Sequence, residues 1–232
     1  MAGGLGVTTP QPWDFSLPPP IFLSASVPDR DAHLYVPDRV AIREAVRAVV
    51  AVIVPRHSLI FGGHPAISPL IWEAADSLGL SDRVYIYQSR LFAPDVPPEA
   101  YCFQGLNRLV WTPIVSAAPK SIERKESLRV MREMMIQRRV TDERKAFDPF
   151  APADFPEYAA GIFIGGMDGV EDEWSLFRKH YAKRPAFLIA STAGAAQRLL
   201  EKPDNRLLYS PDELLMLRME RRYRHLFLTL MP

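Results

Sequence analysis

The sequence predicts an α/β protein in which a doubly wound, mostly parallel sheet carries helices on both faces. Short apolar runs alternate with segments of helical periodicity from about residue 21 onward. The apolar runs are continuous, which indicates strands buried on both faces, and their alternation with helices is typical of parallel strands joined by crossovers. A length of 232 residues fits one large domain or two small ones. The unbroken alternation favours a single Rossmann-like domain over residues 21–232.

The strands are predicted from runs rich in Val, Ile, Leu, Phe and Tyr. Their predicted ranges are 21–26, 57–63, 83–88, 108–114, 159–165 and 185–190. Residues 1–20 are rich in glycine and proline and are expected to form an extended arm without a helix or strand.

The helices are predicted from apolar residues at helical spacing and from their capping residues. Their predicted ranges are 38–54, 68–79, 121–137, 170–182, 193–202 and 210–231. Asp38 is expected to cap the first helix. Ser68 is expected to be the N-cap of the second, with Pro69 at its first position and Gly79 at its end.

Composition excludes several classes of partner. Lys and Arg total 28 against 27 Asp and Glu, a net charge of +1, so neither nucleic acid nor a membrane surface is an expected partner. The single cysteine, Cys102, excludes an internal disulfide and a cysteine-built metal site, and we expect it to be a small apolar filler. No metal is expected. Without a signal peptide or a membrane-spanning run, a cytoplasmic location is predicted.

Ligands bind doubly wound sheets beyond the carboxyl ends of the strands, so the turns after the strands are the candidate site. Four of these turns consist of small, hydroxyl or glycine-rich sequence that lets backbone amides approach a ligand. The candidate ligand-binding residues are Ser24, Ser26, Gly62, Gly63, His64, Gly165, Gly166, Met167, Asp168, Gly169, Glu173, Ser191, Thr192 and Gly194. Neither G-x-G-x-x-G nor a P-loop is present, which argues against an ordinary NAD dehydrogenase or P-loop NTPase.

The turns differ in charge and therefore in expected chemistry. The turn that begins at Ser191 opens a helix without a nearby acid, which predicts a phosphate cradle. His64 is able either to donate a hydrogen bond to a ligand or to cap the local backbone beside Pro65.

The turn after the fifth strand is acidic, with Glu171, Asp172 and Glu173 close behind its glycines. Carboxylates in the first turn of a helix are stabilised by the helix dipole, by about 0.3–1 kcal/mol each, which needs no function. Alternatively, a carboxylate at this place accepts hydrogen bonds from ribose hydroxyls or polarises a water near a glycosidic carbon. Phosphate on the neutral turn and ribose on the acidic one together predict a nucleotide.

The stretch "IFIGGMDGVEDE" resembles the P-G-G-x-G-T-x-x-E motif of the Lonely Guy nucleoside monophosphate phosphoribohydrolases. It resembles still more the SLOG superfamily, in which that Rossmann-like fold is reused to bind nucleotide derivatives. "IFLSASVPD", "LIFGGHPAISPLI" and "STAGAA" are also similar to elements of SLOG proteins from prokaryotic conflict systems. The resemblance runs from about Ile21 to Leu200.

By position, the resemblance makes Gly165, Gly166 and Gly169 the motif glycines and Glu173 its glutamate. Arg132 resembles the arginine that works with that glutamate in the hydrolases. The departures are Ile164 for the proline, Val170 for the threonine, and one extra residue between the glycines. An altered turn changes where the amides point, and small misplacements harm catalysis more than binding. The departures therefore favour ligand binding over hydrolysis.

The resemblance implies a sensor or regulatory protein that binds a nucleotide, NAD- or ADP-ribose-like signal in prokaryotic antiviral defence. The alternative is a Lonely Guy-like phosphoribohydrolase or other nucleotide N-glycosidase, with Glu173 and Arg132 as catalytic residues. A third hypothesis is an interaction protein that uses the apolar stripe of the last helix. No cofactor is required beyond the nucleotide-derived ligand, and the expected partners are further copies of the chain, as a dimer or higher oligomer, and an effector protein.

Overall fold

The computed structural model describes residues 19–27, 36, 38–106, 108–139 and 156–231, so most of the predicted arm over 1–20 lies outside the described residues. Within these ranges the chain forms a six-stranded, all-parallel sheet of order β4-β3-β2-β1-β5-β6. The strands are β1 (Ile21–Ser26), β2 (Leu59–Gly62), β3 (Val84–Ser89), β4 (Leu109–Thr112), β5 (Ala160–Gly165) and β6 (Ala186–Ile189). The predicted Rossmann-like α/β fold is confirmed.

The helices of the described residues lie on both faces of this sheet. They are α1 (Arg39–Ile53), α2 (Ser68–Ser77), α3 (Pro98–Gly105), α4 (Lys120–Ile136), α5 (Asp168–His180), α6 (Gly194–Glu201), α7 (Pro203–Arg206), α8 (Pro211–Met219) and α9 (Tyr223–Leu230). Helices α4 and α5 contact each other and pack on the central strands, whereas α1 contacts α2 and α9. Asp38 caps α1 as predicted, because its carboxylate accepts a hydrogen bond from the Ala41 amide at 3.0 Å.

The order of the strands creates a crevice between β1 and β5. The chain leaves β1 towards β2 and leaves β5 towards β6, in opposite directions across the sheet. The two strands pair in parallel with Ser26 opposite Gly165, so their carboxyl ends open side by side. Such a reversal of strand order is where doubly wound sheets bind ligands.

A cluster of aromatic side chains holds α4 and α5 against the sheet. Phe22 of β1 stacks on Phe177 of α5 with their ring centroids 5.5 Å apart. The buried hydroxyl of Tyr158 donates a hydrogen bond to the carbonyl of Met135, and Tyr181 does the same to Ile136. Both hydrogen bonds hold the carboxyl end of α4, and Arg132 lies one turn earlier on that helix.

The structure corrects four local predictions. The predicted helix over 210–231 is two helices, because Glu220 is extended and its carboxylate accepts hydrogen bonds from the backbone and guanidinium of Arg222. Helix α3 was not predicted, since its Pro97-Pro98 start indicates a loop as readily as a helix. Ser68 is the first helical residue rather than the N-cap, and it makes no capping bond. Cys102 is exposed and fills no core space.

Candidate functional site

The turn between β5 and α5 requires its glycines. Gly165 and Gly166 have φ of +56° and +80°, a region that side chains with a Cβ avoid. A Cβ on Gly166 would also overlap the buried side chain of Val170. The carbonyl of Gly166 accepts a hydrogen bond from the Ala195 amide at 2.9 Å. The turn is therefore rigid and is tied to the start of α6.

The turn that begins at Ser191, which was predicted as a phosphate cradle, packs against the turn between β5 and α5. The Thr192 hydroxyl accepts a hydrogen bond from the Gly165 amide at 2.9 Å and donates one to the carbonyl of Ile189. A Cβ on Gly194 would lie only 2.8 Å from the Gly166 carbonyl oxygen, so the two turns touch backbone to backbone. Ser191 and Thr192 are both buried. The phosphate role of this turn stays a prediction, and the Thr192 hydroxyl already has two partners.

Arg132 of α4 reaches across to α5 and lies between two carboxylates. Its Nη1 is 2.9 Å from Oδ2 of Asp172, and its Nε is 3.4 Å from Oε1 of Glu173. Its Nη2 is 2.9 Å from where a Cβ on Gly169 would stand. The side chains of Arg132 and Glu173 are 17% and 12% exposed, while that of Asp172 is 60% exposed. The fold thus brings together the two residues that the resemblance pairs.

Glu173 lies where the ends of β1 and β2 meet the two helices. Its Oε1 is 3.7 Å from the Cβ position of Gly62. Burial raises the pKa of Glu173, and the lowering influences of Arg132 and of the buried Ser24 hydroxyl are smaller. A carboxyl group that titrates above its usual range beside a fixed cation is suited to hold, and to exchange, a proton with a bound ligand.

The acidic residues of α5 face two different groups of cations. The helix begins at Asp168, two residues earlier than predicted, so its first-turn acids are Asp168 and Glu171. Glu171 faces α6, where it lies 4.0 Å from Arg198 and 3.7 Å from Lys202. Asp172 and Glu173 lie beyond the first turn, so the helix dipole does not account for them. They face Arg132 instead.

The remaining predicted residues lie at the carboxyl ends of β1, β2 and β5. The Ser26 hydroxyl is 3.0 Å from the Cβ position of Gly166. Met167 is half-buried at the N-cap of α5. Nδ1 of His64 accepts a hydrogen bond from the Ala66 amide at 3.2 Å, which is the local capping arrangement. The amide of Gly63 donates to the carbonyl of Tyr87, so the turn after β2 continues the pairing with β3.

A cavity of about 240 Å³ lies on the β2–β3–β4 side of Glu173, and the predicted residues Gly63 and His64 line it, whereas sequence reasoning missed its other residues. The buried side chain of Gln88, near the end of β3, forms part of its wall together with apolar residues of α3 and α4. Arg124 lies at its edge with its guanidinium carbon 4.6 Å from the ring centre of Phe92. The sequence signal for this cavity was Gln88, a polar residue near the end of the largely apolar strand β3.

Two further classes of site find no support within the described ranges. No group of three or more His, Cys, Asp or Glu side chains in the described residues is arranged to hold a metal ion. None of the helices in this part of the chain is both long and apolar enough to pass through a bilayer.

Fold and site define a Rossmann-like α/β protein with a charged crevice at the point where the strand order reverses. A model of the SLOG cluster3 family matches residues 33–146 and 153–229. The chain belongs to this family, which makes it a nucleotide-related protein with a Rossmann-like fold. Among solved structures it is similar to the X-ray structure of TM1055, a structural genomics target, with 14% identity and a TM-score of 0.42 over 82% of this chain and 88% of the other. Comparison with curated protein sequences finds no significant match.

Proposed function

We propose that this protein binds a nucleotide derivative at the crevice between β1 and β5 and acts as a sensor or regulatory module. The proposed signal is of the nucleotide, NAD- or ADP-ribose-like class, and the proposed setting is prokaryotic antiviral defence in the cytoplasm. Binding would change the assembly of the chain into a homo-oligomer, or its contacts with an effector protein. The defence setting rests on the resemblance to SLOG proteins of conflict systems.

The arrangement of Arg132 between Asp172 and Glu173 carries the proposal. Arg132 is one cation facing two carboxylates, so some of the carboxylate oxygens remain available to accept hydrogen bonds from a ligand. Ribose hydroxyls are donors of the kind that such carboxylates bind. Helices α5 and α6 both begin at this edge of the sheet, and the positive ends of their dipoles favour an anionic group such as phosphate.

Isothermal titration calorimetry with a panel of nucleotides, NAD and ADP-ribose tests binding. We expect Arg132→Met to weaken binding of the active compound at least tenfold, because the carboxylates lose the cation that positions them. Arg129→Met is a matched control from the same helix, since Arg129 is exposed and pairs only with Glu126 among the described residues. Equal affinities of the two variants, or a folded protein that binds no compound of the panel, would contradict the proposal.

Two measurements test the regulatory part of the proposal. Light scattering after size-exclusion chromatography should show a change of oligomeric state, or capture of an effector, when the ligand is added. Cells that carry the wild-type protein with its genomic neighbours should resist phage better than cells that carry Arg132→Met. Binding without either effect would leave a ligand-binding protein that is no sensor.

A second candidate function is hydrolysis of a nucleotide N-glycosidic bond. It is favoured by the raised pKa of Glu173 next to Arg132, a common arrangement of acid–base catalysts. It is disfavoured by Val170, whose apolar side chain packs on Gly166 where the resembling motif has a threonine hydroxyl. Chromatographic detection of free base from nucleoside monophosphates or NAD tests this function. Release that continues unchanged in Glu173→Gln would remove that residue from the mechanism.

A further inference from the structure

The cavity beside the crevice contains a polar group that the fold does not use. Gln88 is 7% exposed, and its side chain lines the cavity. Within the described part of the chain neither atom of its amide has a hydrogen-bond partner, whereas polar side chains that are buried this deeply are normally paired. The amide is open to the cavity, where water or a ligand can supply its hydrogen bonds.

The turn after β2 passes close to this amide at Gly63. A Cβ at position 63 would overlap Oε1 of Gln88 and would stand 3.1 Å from the side chain of Ile86. Its φ is not in the left-handed region, so conformation alone does not require a glycine there. The glycine instead leaves room for the Gln88 amide between the turn and the cavity.

The cavity and the charged cluster are separated by little more than one residue. The methyl group of Met131, which lines the cavity, is 3.5 Å from the Cβ position of Gly62. Oε1 of Glu173 is 3.7 Å from the same point. A ribose in contact with Glu173 would therefore direct its next group towards the cavity, past Met131.

The size and walls of the cavity define that group. Its volume of about 240 Å³ is below the roughly 300–1,000 Å³ of complete small-molecule sites, so it has room for one ring system and not for a whole nucleotide. Ile86, Leu109 and Leu128 make its walls largely apolar, which suits a flat ring. Among the described residues Arg124 has no carboxylate partner and rests on the Phe92 ring, where it is placed to stack on a second flat group.

We propose that this cavity binds the heterocycle of the nucleotide-type ligand, and that Gln88 recognises it through a hydrogen-bond donor and acceptor that lie side by side on the ring edge. A glutamine amide presents both a donor and an acceptor, and it pairs in this way with the amino edge of adenine. The carboxamide of nicotinamide offers the same chemistry. The inference rests on the proposed function, since it requires the ribose to lie at Glu173.

Calorimetry with two matched pairs of compounds tests the inference. AMP has the amino group that purine riboside 5′-monophosphate lacks, and nicotinamide mononucleotide has the amide that nicotinic acid mononucleotide lacks. We expect the wild-type protein to bind the first member of one pair about tenfold tighter, which is typical of a two-point contact. The pair that shows the preference identifies the heterocycle.

Variants assign the preference to Gln88. Gln88→Leu keeps the approximate side-chain volume without the amide, so the protein should bind the two members of the pair with equal affinity. Gly63→Ala should have the same effect, because its Cβ would displace the amide. Gln104→Leu, an exposed glutamine on α3, is the control and should leave the preference unchanged. Circular dichroism confirms that each variant is folded.

The two proposals fail in different ways. If ribose 5-phosphate binds as tightly as the nucleotides, or if Gln88→Leu keeps the preference, the heterocycle subsite is overturned while the proposed function stands. If the folded wild-type protein binds none of these five compounds and neither NAD nor ADP-ribose, the subsite is overturned together with the proposed function. A preference in the wild type that disappears in both Gln88→Leu and Gly63→Ala supports the subsite.

Discussion

The contact between the two glycine turns predicts that Gly194→Ala is much more harmful than a similar change elsewhere. Gly194 has φ of +65°, and an L-residue in this region costs about 1–2 kcal/mol. Its Cβ would also stand 2.8 Å from the Gly166 oxygen and 3.0 Å from the Gly165 carbonyl carbon, backbone atoms that cannot rotate away. Overpacking of this kind adds about 1–3 kcal/mol. The free energy of unfolding should therefore fall by about 2–5 kcal/mol.

Gly79→Ala is the matched control, because Gly79 has nearly the same φ of +66° with no atom within 4 Å of its Cβ position. It should lose only the conformational part, about 1–2 kcal/mol. Urea unfolding followed by circular dichroism measures both variants, with equal m-values showing that the denatured states are comparable. Equal losses would refute the backbone contact between the turns, and with it the account of how Thr192 and Gly194 position the site.

Three further predictions concern the same site. Gly169→Ala should keep the free energy of unfolding within about 1 kcal/mol but weaken nucleotide binding, because its Cβ would displace the Arg132 guanidinium; calorimetry showing undiminished affinity would contradict this. Ala193→Gly should raise the free energy of unfolding by about 0.5–2 kcal/mol, since φ of 59° with ψ of −155° is a conformation for glycine, and a lower melting temperature would oppose that account. Burial raises the pKa of Glu173 above its ordinary 4.5, so the folded protein holds this proton more tightly and the free energy of unfolding falls as pH rises from 4.5 through the raised pKa. The free energy of unfolding of Glu173→Gln, relative to that of the wild type, should therefore be higher at neutral pH than at pH 4.5. Urea titrations in which this difference is larger at pH 4.5 would refute the account.

The sheet could be predicted from the sequence because its strands are buried on both faces. The predicted range 21–26 coincides with β1, and the predicted 83–88 is one residue from β3. Continuous apolar runs carry this information locally. Where a local signal was ambiguous the prediction failed, as for α3, whose proline pair starts a helix, and for Glu220, whose bonds to Arg222 break one.

The candidate site was predictable only where the chain itself brings residues together. The turns of small, hydroxyl or glycine residues at the ends of β1, β2, β5 and β6 must share one edge of a parallel sheet, and they do. Spacing along the chain does not reveal that Arg132 meets Glu173, and that pairing came from the resemblance. The Gln88 cavity depends on how α3 and α4 pack beside β3, a tertiary arrangement that no short motif encodes.

The charged cluster makes sense as a binding site because it contributes little to the stability of the fold. Arg132 and Glu173 are largely buried with 3.4 Å between Nε and Oε1, and for such pairs the loss of hydration commonly offsets the attraction between the charges. The raised pKa of Glu173 shows the same imbalance, since Arg132 and Ser24 do not offset the loss of solvation. A fold selected for stability alone gains more from apolar residues at these positions. Glu173→Gln should therefore reduce ligand binding without lowering the free energy of unfolding at neutral pH, a separation that distinguishes a site from a structural ion pair.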